Sequence, residues 1–168
     1  MELNYCTRCG SPLTYRVIGD EGEQKYCSRC DTFFFDNPAV CVLTAIINEK
    51  EEILLLKQNY ISEKNYTLCS GYAKKDETLE QTVAREVLEE TGQHVLSCRY
   101  IRSFWYKPKG LIMAGFAAYV NESAFNHSSE VDGLMWADYG KALKLIEREN
   151  NYSGELLDMC SDKLKAGE

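Results

Sequence analysis

The chain of 168 residues is acidic, with a net charge of −7, and 45% of its residues are hydrophobic. These proportions predict a folded domain with a core rather than a disordered chain. Because affinity for nucleic acids and anionic membranes comes from basic surfaces, the charge disfavours general binding to either. The sequence has no run of 18 apolar residues, and it does not begin with a basic segment followed by an apolar one. We therefore expect a cytoplasmic protein without a transmembrane helix or a signal peptide.

Residues 1–36 are predicted to form a small zinc ribbon. Two CxxC pairs, Cys6 with Cys9 and Cys27 with Cys30, are separated by 17 residues. This spacing is typical of a tetrahedral zinc–thiolate site. The intervening residues are predicted to form a hairpin, and the metal would stabilise a segment too short to fold alone. The alternatives are two disulfides, which a cytoplasmic location disfavours, and a redox CxxC, which does not explain the duplicated pair.

The role of this ribbon is predicted to be structural or dimer-forming. Residues 1–36 contain four basic and six acidic side chains, a net charge of −2, and four thiolates would add further negative charge. A nucleic-acid reader would need the opposite sign. Nucleic acid is therefore not expected as a partner of the ribbon.

The other four cysteines show no ligand spacing and are expected to be free thiols in apolar surroundings. They are Cys41, Cys69, Cys98 and Cys160. A nucleophilic cysteine would need a partner base, and His94 and His127 are the only histidines. We expect both histidines to be ordinary surface or loop residues.

Residues 37–168 are predicted to form one α/β domain, in which helices cover both faces of a mixed sheet. A turn-like sequence at residues 36–39 marks the boundary with the ribbon. The predicted strands are residues 40–47, 53–58, 66–72, 95–106, 111–120 and 133–138. A polar loop is predicted at residues 121–130, and residues 140–165 are predicted to be mostly helical.

A central helix is predicted to begin at Thr78. This residue can cap the helix, and Gln81, three residues later, completes a capping box. The apolar residues that follow recur every four positions and predict one buried stripe: Leu79, Val83 and Val87.

Three glutamates of this helix lie at positions i, i+3 and i+4, so their carboxylates share one face: Glu86, Glu89 and Glu90. Taken alone, this pattern is also typical of a solvated face on which Arg85 pairs with Glu89. The preceding sequence favours a metal site. Gly71 is predicted to end a strand and begin a loop, where a backbone carbonyl can turn toward the helix. Carbonyl and carboxylate oxygens are the ligands of Mg²⁺ and Mn²⁺.

The segment from Gly71 to Gln93 resembles the Nudix box, G-x5-E-x7-R-E-U-x-E-E-x-G-U, in which U is a bulky aliphatic residue. The matching residues are Gly71, Glu77, Arg85, Glu86, Val87, Glu89, Glu90 and Gly92. The one departure is Gln93, at a position that is usually aliphatic, and we expect Val95 to fill that packing role. The resemblance implies an α/β/α sandwich that hydrolyses a nucleoside diphosphate linked to another group.

The resemblance also implies a metal centre on the central helix. Glu86, Glu90 and the carbonyl of Ser70 are the implied ligands of Mg²⁺ or Mn²⁺. Glu89 is implied to be a further ligand or to position the attacking water. Bound metal would neutralise the diphosphate and lower the pKa of a bound water.

A four-cysteine ribbon directly before a Nudix box is similar to the NADH pyrophosphatase group, in a short form without its N-terminal domain. From this group, Glu130 is implied to join the metal site or to serve as base. Phe35 is implied to contact substrate, although simple packing beneath the ribbon explains it equally well. Within the box, Glu77 and Arg85 are implied to brace the loop and helix by an ion pair.

The group carries the motif S-Q-P-W-P-F-P-x-S after the box, whereas this chain has SFWYKPKGL at residues 103–111. Ser103 and Trp105 retain part of its character and, with Tyr72, are candidates for substrate contact. Because most of the motif is absent, ADP-ribose is at least as well supported as NADH.

We therefore expect a metal-dependent diphosphatase that acts on ADP-ribose or an NAD(H)-like dinucleotide and releases a nucleoside monophosphate. The alternatives are a non-catalytic nucleotide-sensing module and a hydrolase of RNA 5′ ends. The expected cofactors are catalytic Mg²⁺ or Mn²⁺ and structural Zn²⁺. Relatives of this kind often dimerise, so a homodimer is expected, and no membrane partner is.

Overall fold

The computed structural model describes residues 3–59, 65–146 and 152–166, with side chains described as far as residue 161. The chain divides into two compact units, Met1–Pro38 and Ala39–Glu168. Within the described ranges, no helix combines the length and the apolar character needed to cross a membrane.

The N-terminal unit contains a three-stranded antiparallel sheet of β1 (Thr14–Val17), β2 (Glu23–Cys27) and β3 (Thr32–Phe34), in that order. The predicted hairpin is confirmed by β1 and β2, which pair from Thr14↔Tyr26 to Val17↔Glu23. The third strand was not predicted because three residues are too few to show an alternating pattern.

The C-terminal unit is built on a six-stranded mixed sheet. Its elements are β4 (Ala39–Ile47), β5 (Ile53–Lys57), β6 (Cys69–Tyr72), α1 (Leu79–Thr91), β7 (Val95–Tyr106), β8 (Leu111–Val120), β9 (Gly133–Ala137), α2 (Tyr139–Leu145) and α3 (Tyr152–Ala166). The strand order is β7-β8-β4-β5-β9, and β6 pairs with β4 off this path. Strands β4 and β8 are parallel, whereas β4 pairs antiparallel with β5 and β6.

The alternating side chains of β4 divide the core into two layers. On one face, Leu43 belongs to a buried cluster with Leu156 and Leu157 of α3. On the other face, Val42 belongs to a cluster with Val83 of α1. Helices therefore cover both faces of the sheet, and the predicted α/β/α sandwich is confirmed.

Two predictions for the strand at residues 66–72 differ from the structure in detail. Strand β6 begins at Cys69, because Thr67 makes only an isolated bridge to Leu56. It continues past Gly71, which pairs with Val42 of β4, so the prediction that Gly71 ends the strand was wrong. The β4–β5 hairpin is paired in register only at Ile47 and Ile53.

Two helices lie in the C-terminal region that was predicted to be mostly helical. Helix α2 ends at Leu145 and α3 begins at Tyr152. Residues 147–151 of the predicted segment lie outside the described residues.

Candidate functional site

Helix α1 begins and ends at residues that satisfy its terminal backbone groups. The side chain of Thr78 accepts from the Gln81 amide at 3.2 Å, and the Gln81 side chain accepts from the Thr78 amide at 2.8 Å. The predicted capping box is therefore confirmed. The helix ends at Gly92, whose φ of 75° is left-handed and whose amide donates to Leu88. This residue lies so close to Asn126 that a Cβ would meet its backbone nitrogen at 2.7 Å. These contacts fix both ends of the helix that carries the glutamates.

Arg85 connects the loop before the helix to the glutamate face. Its Nε and Nη2 donate to the two carboxylate oxygens of Glu77 at 2.7 and 3.0 Å. Its Nη2 also donates to the carbonyl of Tyr72 at 3.0 Å, and its Nη1 donates to Glu86 at 2.6 Å. The hydrogen bonds from Arg85 lower the pKa of Glu77 to about 2. The guanidinium therefore holds the strand end, the loop and the helix in one arrangement.

Glu86 lies directly against Gly71 of β6. A Cβ on Gly71 would lie 1.9 Å from the carboxyl carbon of Glu86, so only glycine fits beside this side chain. The close approach places the carboxylate against the strand end that contains Ser70. The Glu86 carboxylate and the Ser70 carbonyl are both oxygen ligands of the kind that a hard divalent cation takes.

Glu90 is buried, with 6% of its surface exposed. Its Oε1 accepts from Gln58 at 3.4 Å, and its Oε2 has no hydrogen-bond partner among the described residues. Burial, reinforced by the charges of Glu86 and Glu130, raises the pKa of Glu90 to about 7, while the nearby Cys69 thiol and the Gln58 amide oppose the rise. A buried carboxylate with an unsatisfied oxygen is costly unless a cation occupies the position beside it.

One cavity of about 790 Å³ brings together most of the implied metal ligands. It is lined by Glu86, Glu90 and Glu130, and also by Ser70 and Tyr72. Glu130 is 40 positions from Glu90 in the sequence, so only the fold makes them neighbours. The carboxylates and the strand end thus form one candidate metal and substrate site.

The structure places Glu89 apart from this group. Its side chain is 52% exposed, accepts from Arg85 at 3.2 Å and lies 3.9 Å from the ammonium of Lys74. It is not among the residues that line the described cavity. The helix therefore presents Glu89 on its outer side, while Glu86 and Glu90 face inward.

The other residues proposed to contact substrate do not line the described cavity. Ser103 hydrogen-bonds Tyr100 at 2.7 Å, Trp105 is 55% exposed, and neither lines the described cavity. Phe35 lies in the N-terminal unit and is 46% exposed. The next residue of the motif region, Tyr106, lines the cavity instead.

Tyrosines that sequence reasoning did not single out form an aromatic part of the cavity: Tyr66, Tyr106 and Tyr152. The Tyr152 hydroxyl donates to the carbonyl of Trp105 at 2.9 Å, and its ring packs against Phe104 with centroids 5.1 Å apart. The alternation of β7 could have indicated that Tyr106 and Trp105 face opposite sides. No local pattern brings Tyr152 to this place, because α3 reaches it only through the tertiary fold.

The segment that leads to Glu130 is held by the end of α1. Gln93 is fully buried, and its Oε1 accepts from the amide and hydroxyl of Ser123 at 2.9 and 3.1 Å. Its Nε2 donates to the Ser123 carbonyl at 3.1 Å. The departure from the aliphatic pattern therefore has a structural role, since the Gln93 side chain hydrogen-bonds both the amide and the carbonyl of Ser123 in the loop. Val95, which was expected to fill the aliphatic position, is half-buried beside the same core cluster as Val83.

The four cysteines of the N-terminal unit converge. Their sulfur atoms all lie within 4.8 Å of one another: Cys6, Cys9, Cys27 and Cys30. Two of the separations are 3.6 Å, between Cys9 and Cys27, and 3.9 Å, between Cys6 and Cys30, well beyond a disulfide bond. The cluster is compatible with a zinc ribbon, because one tetrahedral ion takes four thiolates from two such knuckles.

The remaining thiols and the histidines show no catalytic arrangement among the described residues. Cys41, Cys69 and Cys160 are buried, and Cys98 is half-buried. His94 and His127 are exposed, and a ring nitrogen of His127 lies 3.0 Å from the Ser128 carbonyl. The expectation of surface histidines is confirmed, and none of these cysteines forms a disulfide. The expectation of apolar surroundings is wrong for Cys69, which lies beside Glu90.

Comparison with known sequences places most of the chain in one family. The NUDIX domain model matches residues 37–160. The NAD-capped RNA hydrolase NudC of Photobacterium profundum is 32% identical over 164 residues, which are 97% of this chain and 60% of that protein. The enzyme of the same name from Pectobacterium carotovorum subsp. carotovorum is 34% identical over 143 residues, 84% of this chain and 53% of that protein. The chain thus spans between half and two thirds of the length of these relatives.

Solved structures share the fold. A NUDIX hydrolase from Nitrosomonas europaea superposes with a TM-score of 0.70 at 24% identity, covering 92% of this chain and 88% of that one. The MutT protein from Methanosarcina mazei superposes with a TM-score of 0.63 at 27% identity, covering 79% of this chain and 99% of that one.

Proposed function

The chain belongs to the Nudix hydrolase family, and we propose that it hydrolyses the diphosphate linkage of a nucleoside diphosphate derivative in a metal-dependent reaction. The proposed substrates are ADP-ribose and NAD(H)-like dinucleotides, and the proposed product is a nucleoside monophosphate. The observation that carries the proposal is the convergence of Glu86, Glu90 and Glu130 on one cavity.

The site fits Mg²⁺ or Mn²⁺. The oxygen donors beside the cavity would hold the ion: the carboxylates of Glu86 and Glu90 and the carbonyl of Ser70, with Glu130 completing the set. The buried Oε2 of Glu90 supports this assignment, since it has no partner in the described part of the chain. When bound, the metal supplies neutralisation of the diphosphate and a water of lowered pKa.

The residues around the ligands hold them in place. Arg85 donates to one oxygen of Glu86 and fixes the orientation of its carboxylate. Gln58 does the same for Glu90, and its own Oε1 accepts from Thr67 at 3.0 Å. Glu89 lies on the outer side of the helix and accepts from Arg85, so a ligand or water-positioning role for it stays a prediction from the family resemblance. Such fixed orientation lowers the reorganisation that the reaction requires.

We propose that the N-terminal unit is a structural zinc ribbon. The four clustered sulfur atoms support this, because closed four-thiolate sites stabilise small units and leave no position for a substrate. Within the cluster, the Ser11 side chain, 3.4 Å from the sulfur of Cys9, lowers the pKa of that thiol to about 6, whereas the hydrogen bond with Cys9 raises the pKa of Cys30 to about 12. A homodimer remains part of the proposal, with the ribbon as a candidate dimer-forming unit.

A second candidate activity acts on the 5′ ends of RNA. The names of the relatives favour it, since they are NAD-capped RNA hydrolases. The bond that would be cut is the same diphosphate linkage, so the same carboxylates would serve. The acidic ribbon disfavours broad RNA contact, and we expect a short capped end rather than a long strand to be recognised.

A substrate panel tests the proposal. ADP-ribose, NADH, NAD⁺ and an NAD-capped oligonucleotide are incubated with Mg²⁺ or Mn²⁺, and the products are identified. We expect release of a nucleoside monophosphate and a loss of at least about 100-fold in kcat for Glu90→Gln, because a metal ligand is removed. The matched control is Glu80→Gln, an exposed glutamate on the same helix, which should retain activity.

The alternative function of nucleotide sensing predicts a different result. A sensing module would bind one of these compounds and release no monophosphate in either metal. Equal turnover by wild type and Glu90→Gln would contradict the assigned role of Glu90.

A further inference from the structure

The cavity contains a cation that the metal chemistry does not use. Two lysines line it, Lys74 and Lys109. Lys74 is already near a carboxylate, since its Nζ lies 3.9 Å from Glu89. Lys109 makes neither a salt bridge nor a side-chain hydrogen bond within the described residues. A lysine that lines an acidic cavity without an ion-pair partner is available to an anionic ligand.

The backbone that carries Lys109 is held in one conformation. Residues 107–109 form a 3-10 turn between β7 and β8, and the amide of Gly110 donates to the Lys107 carbonyl at 3.3 Å. Gly110 is left-handed, with φ of 59°, and Pro108 restricts the turn further. On the β7 side, the hydroxyl of Tyr152 holds the Trp105 carbonyl. Little backbone entropy is therefore lost when a ligand contacts this turn.

Cys41 also lines the cavity, and the charge of Lys109 acts on it. Burial and the charge of Glu86 together raise the pKa of this thiol to about 11, while the charge of Lys109 opposes the rise. The Glu86 carboxylate and the Lys109 ammonium thus act on the same cavity residue with opposite signs. An anion bound in this cavity would meet both the metal-bearing carboxylates and Lys109.

We propose that Lys109 binds the diphosphate of the substrate, contacting phosphate oxygens from the β7–β8 turn while Glu86 and Glu90 bear the metal. This assignment rests on the proposed function and adds a substrate-binding residue to it. Three carboxylates line the same cavity, so an ammonium here offsets part of their repulsion toward an anionic substrate.

Binding of a diphosphate that cannot be hydrolysed separates this proposal from catalysis. Methylenediphosphonate carries no base or sugar, and its binding in excess Mg²⁺ is measured by calorimetry for wild type, Lys109→Met and Lys107→Met. Lys107 lies in the same turn and is exposed, but it does not line the cavity. It is therefore a matched control for the loss of one positive charge.

We expect Lys109→Met to weaken binding at least tenfold, Lys107→Met to change it less than twofold, and Lys109→Arg to restore most of the affinity. Equal affinities of wild type and Lys109→Met would overturn the proposal, and so would equal losses in both methionine variants. Absence of probe binding by wild type would also overturn it. Lys109-dependent binding without hydrolysis of any nucleotide in the panel would support the diphosphate site and contradict the proposed hydrolysis.

Discussion

The two candidate metal sites of this chain are built in opposite ways. In the N-terminal unit, four sulfur atoms from two CxxC pairs gather within 4.8 Å of one another, and every residue of the neighbouring strand β1 is exposed. In the C-terminal unit, carboxylates from α1 and from the segment before β9 line a cavity in a domain with two buried hydrophobic clusters. The small unit has few apolar contacts besides its ligands, whereas the large unit has a core that does not depend on its ligands.

This difference indicates what each metal would contribute. Four soft thiolates close the coordination of zinc, so the metal would stabilise the fold. Hard oxygen ligands beside an open cavity leave positions for water and phosphate, so the metal would take part in the reaction. The large unit bears the cost of holding Glu90 buried with an unsatisfied oxygen.

The largest expected effect tests the dependence of the small unit on zinc. Replacing Cys27 by serine, or removing zinc with a chelator, should unfold residues 1–38, because zinc contributes about 10–16 kcal/mol to such units. Amide hydrogen exchange should lose protection in β1 and β2, while β4 and β8 remain protected. The control is Cys98→Ser, a half-buried cysteine outside the cluster. Retained protection of the ribbon amides without zinc would contradict the comparison.

The next effect tests the cost of burying Glu90. Because the folded protein raises the pKa of this group to about 7 from an ordinary value of 4.5, the folded state binds the proton more tightly than the unfolded state. In the metal-free protein, the stability from this group is present below about pH 4.5 and is lost as the pH rises to about 7. Glu90→Gln should therefore be more stable than wild type at pH 8. The difference in free energy of unfolding between the two proteins should be up to about 3 kcal/mol larger at pH 8 than at pH 4.5.

Urea unfolding of metal-free wild type and Glu90→Gln between pH 4.5 and 8 measures this difference. Glu77→Gln provides the opposite sign, since the pKa of Glu77 is lowered to about 2. The stability from Glu77 is present above about pH 4.5 and is lost as the pH falls toward 2. A stability difference between wild type and Glu90→Gln that does not change with pH would show that burial does not penalise this carboxylate.

The sequence predicted the parts of both sites that depend on short-range spacing. The CxxC pairs, the capping box and the i, i+3, i+4 glutamates are local patterns, and the fold keeps each of them. Which glutamate faces inward was not predictable, because helical spacing brings Glu86, Glu89 and Glu90 together without specifying burial. Tyr152 and Lys109 were missed for a related reason. They meet the cavity through the packing of α3 and the geometry of a turn, neither of which leaves a periodic signal.

A smaller effect tests how tightly the large unit holds its ligands without metal. Gly71→Ala would place a Cβ 1.9 Å from the carboxyl carbon of Glu86, so this side chain must move. We expect metal affinity and kcat to fall by about 10- to 100-fold, as for other disturbances of the groups that orient metal ligands. The control is Gly133→Ala, where the nearest atom is an ordinary 3.7 Å away. Metal titration of both variants measures the effect, and equal affinities would show that the close approach is not needed.

The smallest effect concerns the buried amide at the end of α1. Gln93→Leu restores the aliphatic residue usual at this position and buries more apolar surface, but it leaves the amide and hydroxyl of Ser123 without their acceptor. Ser123 itself is exposed, so water can replace part of the lost acceptor, and a hydrogen bond contributes only about 0.5–1.5 kcal/mol net. We therefore expect a net loss of at most about 1 kcal/mol in the zinc-saturated protein. Ser123→Ala removes only the hydroxyl, and a double-mutant cycle with Gln93→Leu separates the hydroxyl hydrogen bond from the hydrogen bonds to the Ser123 backbone.

Faster exchange of the Ser123 amide in Gln93→Leu would locate the loss in the segment that leads to Glu130. If Gln93→Leu were instead more stable than wild type with an unchanged Ser123 amide, the loop would be held by its own packing, and Gln93 would be an ordinary core residue.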